Sequence, residues 1–262
     1  MRTISWAMMV SVGVFGAASI AAAAPHVPDN GTGTADMPLH LDYIALTPMY
    51  IIDGLPAGTN VAIDAVQTAP TSTVEQPGGM LGGTQSAGVG SGFLWNMQGT
   101  GTLAGFSRIL FVPFSVNVAS FPAPPGSGYE VHAGPRTPYM PVQSFDTNVF
   151  RMFGQITGDP DFDLLRVTVG ADFGLPSPGV TTLTAAGGGW SVDSFFDITY
   201  RIDFVGNPGG PLSGLSGSTT GAVRLAAVPE PASLGLLAIG GLLLRRRNGA
   251  MFRESHGVNV VV

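Results

Sequence analysis

The chain has 262 residues, 45% hydrophobic and 11% charged, with 38 Gly and 21 Pro. That balance is opposite to the disordered signature and predicts a folded core interrupted by many turns. All 11 basic residues are Arg and Cys is absent, which removes disulfides, thiolate metal sites and a Cys nucleophile. Between Pro25 and Ala227 six arginines face fifteen carboxylates, a balance of −9 that argues against nucleic acid as a partner.

The chain opens with Arg2, an apolar run from Ala7 to Ile20 and the small residues Ala21 to Ala24. A positive charge, an apolar core and a small-residue site make a secretory signal peptide over residues 1–23, read by the secretion machinery. Cleavage after Ala23 places Ala21 and Ala23 at the two small-residue positions; the alternative is a retained anchor helix. Residues 24–38, polar and Gly-rich, are expected as a flexible lead-in.

Residues 39–227 then read as one β ectodomain. Leu39 to Ile52 holds one or two strands, and Val61, Ile63 and Ala65 alternate within Asn60 to Thr68. Thr71 to Gly92 carries seven glycines and is expected as a long loop. Arg108 to Val118 is strand-like, ended by Pro122, Pro124, Pro125, Gly126 and Gly128. The clearest strand is Val192 to Phe204: its even-numbered members from Val192 to Phe204 form one face, and Asp193, Asp197, Thr199, Arg201 and Asp203 the other, with Phe195 the exception. No helical period appears between Leu39 and Ala227, so the expected class is all-β, a sandwich-like antiparallel domain. A weak repeat, in which Val142, Ser144, Phe145, Phe150, Arg151 and Met152 match Val192, Ser194, Phe195, Tyr200, Arg201 and Ile202 at a constant offset of 50, suggests equivalent hairpins in two facing sheets; chance likeness is the alternative.

Catalytic signals are sparse. His26 lies in the lead-in and His256 in the tail, leaving His40 and His132 for any triad or metal site. Ser91 and Ser216 lack the flanking glycines of a nucleophile elbow, and no phosphate-cradling Gly-rich loop is present. Asp159, Asp161 and Asp163 alternate and could converge on Ca²⁺. They do not make an EF-hand loop, because Leu164 stands where Gly is needed and Gly170 where the bidentate Glu belongs; the alternative is a solvated turn capped by Asp159. Trp190, after Gly187, Gly188 and Gly189, could be exposed with Trp95 as a sugar-stacking platform, or it packs over the end of the sandwich.

The C-terminal part reads Val228-Pro229-Glu230-Pro231, then an apolar run from Ala232 to Leu244, then Arg245-Arg246-Arg247. The prolines break any entering helix and leave an extended strip. Thirteen apolar residues make roughly 20 Å of helix, short of a ~30 Å hydrocarbon core, so the transmembrane helix is a short one. The arginines fix that side in the cytoplasm. Residues 228–247 resemble the PEP-CTERM sorting signal in this three-part order. The resemblance implies recognition by an exosortase-like membrane protease, with processing near Pro229-Glu230-Pro231. Family members usually stop soon after the arginines, whereas residues 248–262 continue as a cytosolic or disordered tail. The stretch Asp159 to Arg166, with Val192 to Gly210, also resembles ectodomains of PEP-CTERM proteins of no known activity.

The expectation is a noncatalytic cell-surface or extracellular-matrix protein, passing through the inner membrane on its way out. A carbohydrate- or ligand-binding module is the alternative, because such sorting systems are associated with exopolysaccharide, followed by a secreted hydrolase.

Overall fold

Alternation of apolar and polar side chains sets the backbone of this protein, because a strand that buries one face must place every second residue inward. The computed structural model describes residues 24–114 and 128–228. In chain order the strands are β1 (His26–Pro28), β2 (Asp42–Ala45), β3 (Met49–Ile51), β4 (Val61–Gln67), β5 (Ser72–Pro77), β6 (Thr84–Val89) and β7 (Gly92–Gly99). They continue with β8 (Ser107–Pro113), β9 (Tyr129–Ala133), β10 (Val142–Thr157), β11 (Phe162–Val169), β12 (Pro178–Ala186), β13 (Gly189–Gly206) and β14 (Ser216–Val228). The fold is all-β, with only short 3-10 turns at Gly101–Leu103 and Ala171–Phe173 among the described residues.

At the centre stands β13, which keeps the predicted phase. Phe196, Ile198, Tyr200, Ile202 and Phe204 are buried, while Asp193, Asp197 and Arg201 are exposed. β10 runs parallel to β13 one strand away, and the gap between them is filled twice. β11 pairs the C-terminal halves of both and β12 the N-terminal halves, so β11 and β12 act as one antiparallel strand interrupted by residues 170–177. A two-residue turn joins β12 to β13. Gly187 and Gly188 both have positive φ there, 56° and 85°, the backbone that the tightest hairpin turn requires.

From β13 the sheet continues through β14, β2, β4, β7 and β8, and from β10 it continues outward through β9, β6 and β5. A right-handed twist accumulates across so many strands. The sheet curls until Phe114, just past β8, bridges Gly154 of β10. The two halves thus face one another across one core, in a sandwich-like arrangement built from a single antiparallel sheet. Trp95, Phe93, Tyr43, Tyr129, Phe162, Phe196 and Phe204 fill that core. Burial pushes the Tyr43 and Tyr129 phenols well above their ordinary range, so both stay neutral wherever the fold persists.

Three expectations are corrected. The segment expected as a flexible lead-in is built into the fold: β1 pairs with β13, and Val27, Ala35 and Met37 are buried, so these few apolar side chains anchor an otherwise polar, Gly-rich stretch. The expected loop from Thr71 to Gly92 contains the β5–β6 hairpin, which turns at Gly78 to Gly83. The repeated segments do not form equivalent hairpins in facing sheets. They lie in β10 and β13 of the same sheet, and the register aligns Phe145 with Ser194 through Thr181, so Phe145 and Phe195 point to opposite faces.

Inward-facing Phe196 and outward-facing Asp197 give a direct test of phase. Phe196→Ala should cost about 3–5 kcal/mol by opening a core cavity. Asp197→Asn should barely move the melting temperature, because the Asp197–Arg224 pair is half exposed, at 49% and 47%. Thermal unfolding of the two variants checks this, and equal destabilisation would reverse the assignment of faces.

Candidate functional site

The turn between β10 and β11 holds Asp159 and Asp161, with Asp163 following on β11, and hydrogen bonds hold the turn in shape. Asp159 Oδ1 accepts the Asp161 N–H at 2.9 Å and the Phe162 N–H at 3.4 Å, a side chain capping its own turn. The other oxygen of Asp159 and one of Asp161 each take a guanidinium N–H from Arg108 on β8. Asp163 points to solvent. Arg108 therefore supplies the positive charge expected of Ca²⁺, and among the described residues no three metal-capable side chains converge. Asp159 and Asp161 fasten this turn to β8.

Trp190 is not a stacking platform either. It is 4% exposed, stands opposite Val27 in the β1–β13 pair, and donates its indole N–H to Asp29 Oδ2 at 3.2 Å. Trp95 is fully buried. Of the histidines, His26 Nε2 lies 3.0 Å from the Ala186 carbonyl, and His40 is exposed beside Thr73. Ala21, Ala23, Pro229, Glu230, Pro231, Arg245, Arg246, Arg247 and His256 lie outside the described residues. Among the described residues no helix is long and apolar enough to cross a membrane.

Two groupings emerge that the sequence did not single out. The first is a buried polar chain on the outer side of β9 and β10. Glu130 and His132 are two apart on β9 and so share a face. The Met80 N–H donates to His132 Nδ1 at 3.0 Å, which leaves the proton on Nε2, and that nitrogen lies 3.0 Å from Glu130 Oε1. The same Glu130 oxygen accepts from Gln85 Nε2 at 2.7 Å. Arg151 Nη1 stands 3.8 Å from Glu130 Oε2, and its Nε donates to Asp172 at 2.8 Å. The His132 ring stacks on Phe150, with centroids 4.3 Å apart. With both imidazole nitrogens engaged, this chain of groups clips the β5–β6 turn and the 170–177 interruption onto the sheet. An alternating acid and histidine on β9 was a local signal for half of it; Arg151 and Asp172 arrive through long-range pairing.

The second grouping is an open groove of about 440 Å³ on the outer face of β10, β12, β13 and β14, lined by Leu81, Asp146, Asn148, Val180, Phe195, Asp197 and Arg224 among others. Phe195, the exception to the alternation, sits in its floor. Arg224 lies 4.1 Å above the Phe195 ring and makes two 2.7 Å hydrogen bonds to Asp197. The Arg224 guanidinium holds the Asp197 carboxyl below the usual carboxylate range. Such a floor offers carboxylates, an amide and a guanidinium to hydroxyl-bearing ligands, with the aromatic face already covered by the arginine.

Comparison with protein-family models, with curated proteins and with solved structures finds no match for the chain.

If Arg108 stands in the place of a cation, Arg108→Ala should lower stability by about 1–3 kcal/mol, because it leaves Asp159 and Asp161 facing one another. Asp163→Asn should be silent, and millimolar Ca²⁺ should leave the wild-type melting temperature unchanged. Melting curves with and without Ca²⁺ decide it; a rise in the wild type would restore the cation site.

Proposed function

We propose that the chain is an exported, noncatalytic cell-surface or matrix protein, sorted by an exosortase-type system. The observation that carries this reading is the order Pro229-Glu230-Pro231, apolar run, Arg245-Arg246-Arg247. That order places a helix-breaking strip outside, a marginal span in the bilayer and the positive charge on the cytoplasmic side. The signal peptide over residues 1–23 would direct the secretion machinery to export the body, and an exosortase-like membrane protease would process the other end. Supporting the noncatalytic part, His132 has both nitrogens engaged within the fold and the Asp159–Asp163 cluster is tied to Arg108. The test replaces Pro229-Glu230-Pro231 with three alanines and follows the protein by fractionation. Uncut chain should accumulate in the inner membrane, and release equal to that of wild type would sink the reading.

The groove over Phe195 favours a second reading, a module that binds exopolysaccharide or another hydroxyl-rich ligand. The polar groups along it, Asp146, Asn148, Asp197 and Arg224, are the supporting observation, and the link to carbohydrate rests on that chemistry alone. A glycan array should then give signals that Arg224→Ala removes; an array blank for wild type would discard this reading.

A further inference from the structure

The outer face of β14, β2, β4, β7 and β8 carries an apolar lane, half-buried at Ala226, Ile44, Val66 and Leu94 and exposed at Phe111. The pairing register puts Ala226, Ile44, Val66, Leu94 and Phe111 side by side in one straight row across five strands. Their neighbours along each strand, Leu225, Tyr43, Ala65, Trp95 and Val112, are buried, so the row faces outward. Phe111 is 46% exposed, and Ile109, next to it on the same face of β8, is 50% exposed. The next row on one side holds Asp64 and Asn96 and ends in Ile109, and the next on the other side holds Asp42 and Thr68. An apolar stripe with polar margins on a water-facing sheet marks a surface that meets something less polar than water.

The place where the chain leaves the body selects the occupant. The row runs on from Ala226 to Phe195 of β13, and Val228, two residues after Ala226, is the last described residue of β14. Only Pro229, Glu230 and Pro231 separate it from the apolar run, and three residues of chain can span at most about 10 Å. The row itself, four strand spacings from Ala226 to Phe111, extends about 19 Å. With so short a tether, this face stays within reach of the bilayer, and the encounter is intramolecular at an effective concentration near the millimolar range. The remaining surface belongs to a body with a −9 balance of charge, which anionic headgroups repel. The apolar lane is the side that gains by contact with the boundary between headgroups and acyl chains.

We infer that, while the chain is tethered, the face bearing Ala226, Ile44, Val66, Leu94 and Phe111 lies on the lipid surface of the membrane that holds it. The inference rests on the sorting-signal reading of residues 228–247. Processing at Pro229-Glu230-Pro231 then frees a body whose apolar lane leaves the membrane with it.

The absence of Cys allows single-site labelling of the full chain. Phe111→Cys, Ile109→Cys, Tyr139→Cys and Leu237→Cys are each labelled with an environment-sensitive nitrobenzoxadiazole dye. The labelled chains are reconstituted into vesicles of phosphatidylcholine and phosphatidylglycerol containing nitroxide-bearing lipids. Tyr139, 77% exposed and outside the lane, is the reference for free surface; Leu237 reports the tether. Quenching at residues 111 and 109 should exceed that at 139 at least twofold and remain below that at 237. Quenching at 109 and 111 no greater than at 139, with 237 strongly quenched, overturns the docking and leaves the tether standing. An unquenched label at 237 overturns the tether and the docking together. Self-quenching at 111 that grows with the protein-to-lipid ratio, without lipid quenching, assigns the lane to a second copy of the chain and also overturns the proposal.

Discussion

Everything in this fold takes its register from the unbroken two-residue period of β13. Its 18 residues pair with β1, β11, β12 and β14. A slip of one residue would therefore turn Phe196, Ile198, Ile202 and Phe204 to solvent and carry Asp197 and Asp203 into the core. That penalty fixes β13, and β13 in turn fixes its neighbours. It also explains why the strand between β10 and β13 tolerates an interruption. The long strands on both sides hold β11 and β12 in line, so residues 170–177 can leave the sheet and place Asp172 against Arg151.

The exclusive use of arginine has a structural logic. Four of the body's arginines lie over phenylalanine rings: Arg136 on Phe145, Arg151 on Phe150, Arg166 on Phe153 and Arg224 on Phe195. A planar guanidinium can stack on a ring while its edge holds a carboxylate or an amide, which an ammonium cannot do as well. Arg224 does both at once, with Asp197 at its edge, and Arg166 does so with Gln155. The scarce positive charge of an acidic body is thereby spread across the joints between strands and turns.

What was legible in the sequence follows from the same period. β13 and β4 could be read because one face is buried and the other wet, and the all-β class followed from them. The β5–β6 hairpin could not, since Ser72 to Pro77 is exposed on nearly every side and offers no alternation. β1 is three residues long and is held by β13, more than 160 positions away. Of the candidate site residues, Pro229 to Pro231 and Arg245 to Arg247 lie outside the described residues, so the fold bears only on the others. For Asp159, Asp161 and Trp190 the capped turn and the packed indole were among the readings, but their partners were not, because these are remote: Arg108 lies 51 residues before Asp159, and Asp29 lies 161 before Trp190. Composition near a residue carries no trace of a partner that only tertiary pairing delivers.

The way β14 leaves the body bears on mechanics. The strand ends at Val228 after eleven consecutive pairs with β13, and its last four residues are also flanked by β2. A pull on the chain beyond Val228, directed along β14, acts parallel to the strand and perpendicular to its hydrogen bonds. The bonds are then strained together in shear, instead of being unzipped one pair at a time as at a hairpin end. A load applied beyond Val228 would meet the cooperative resistance of the whole β13–β14 seam before any strand came away.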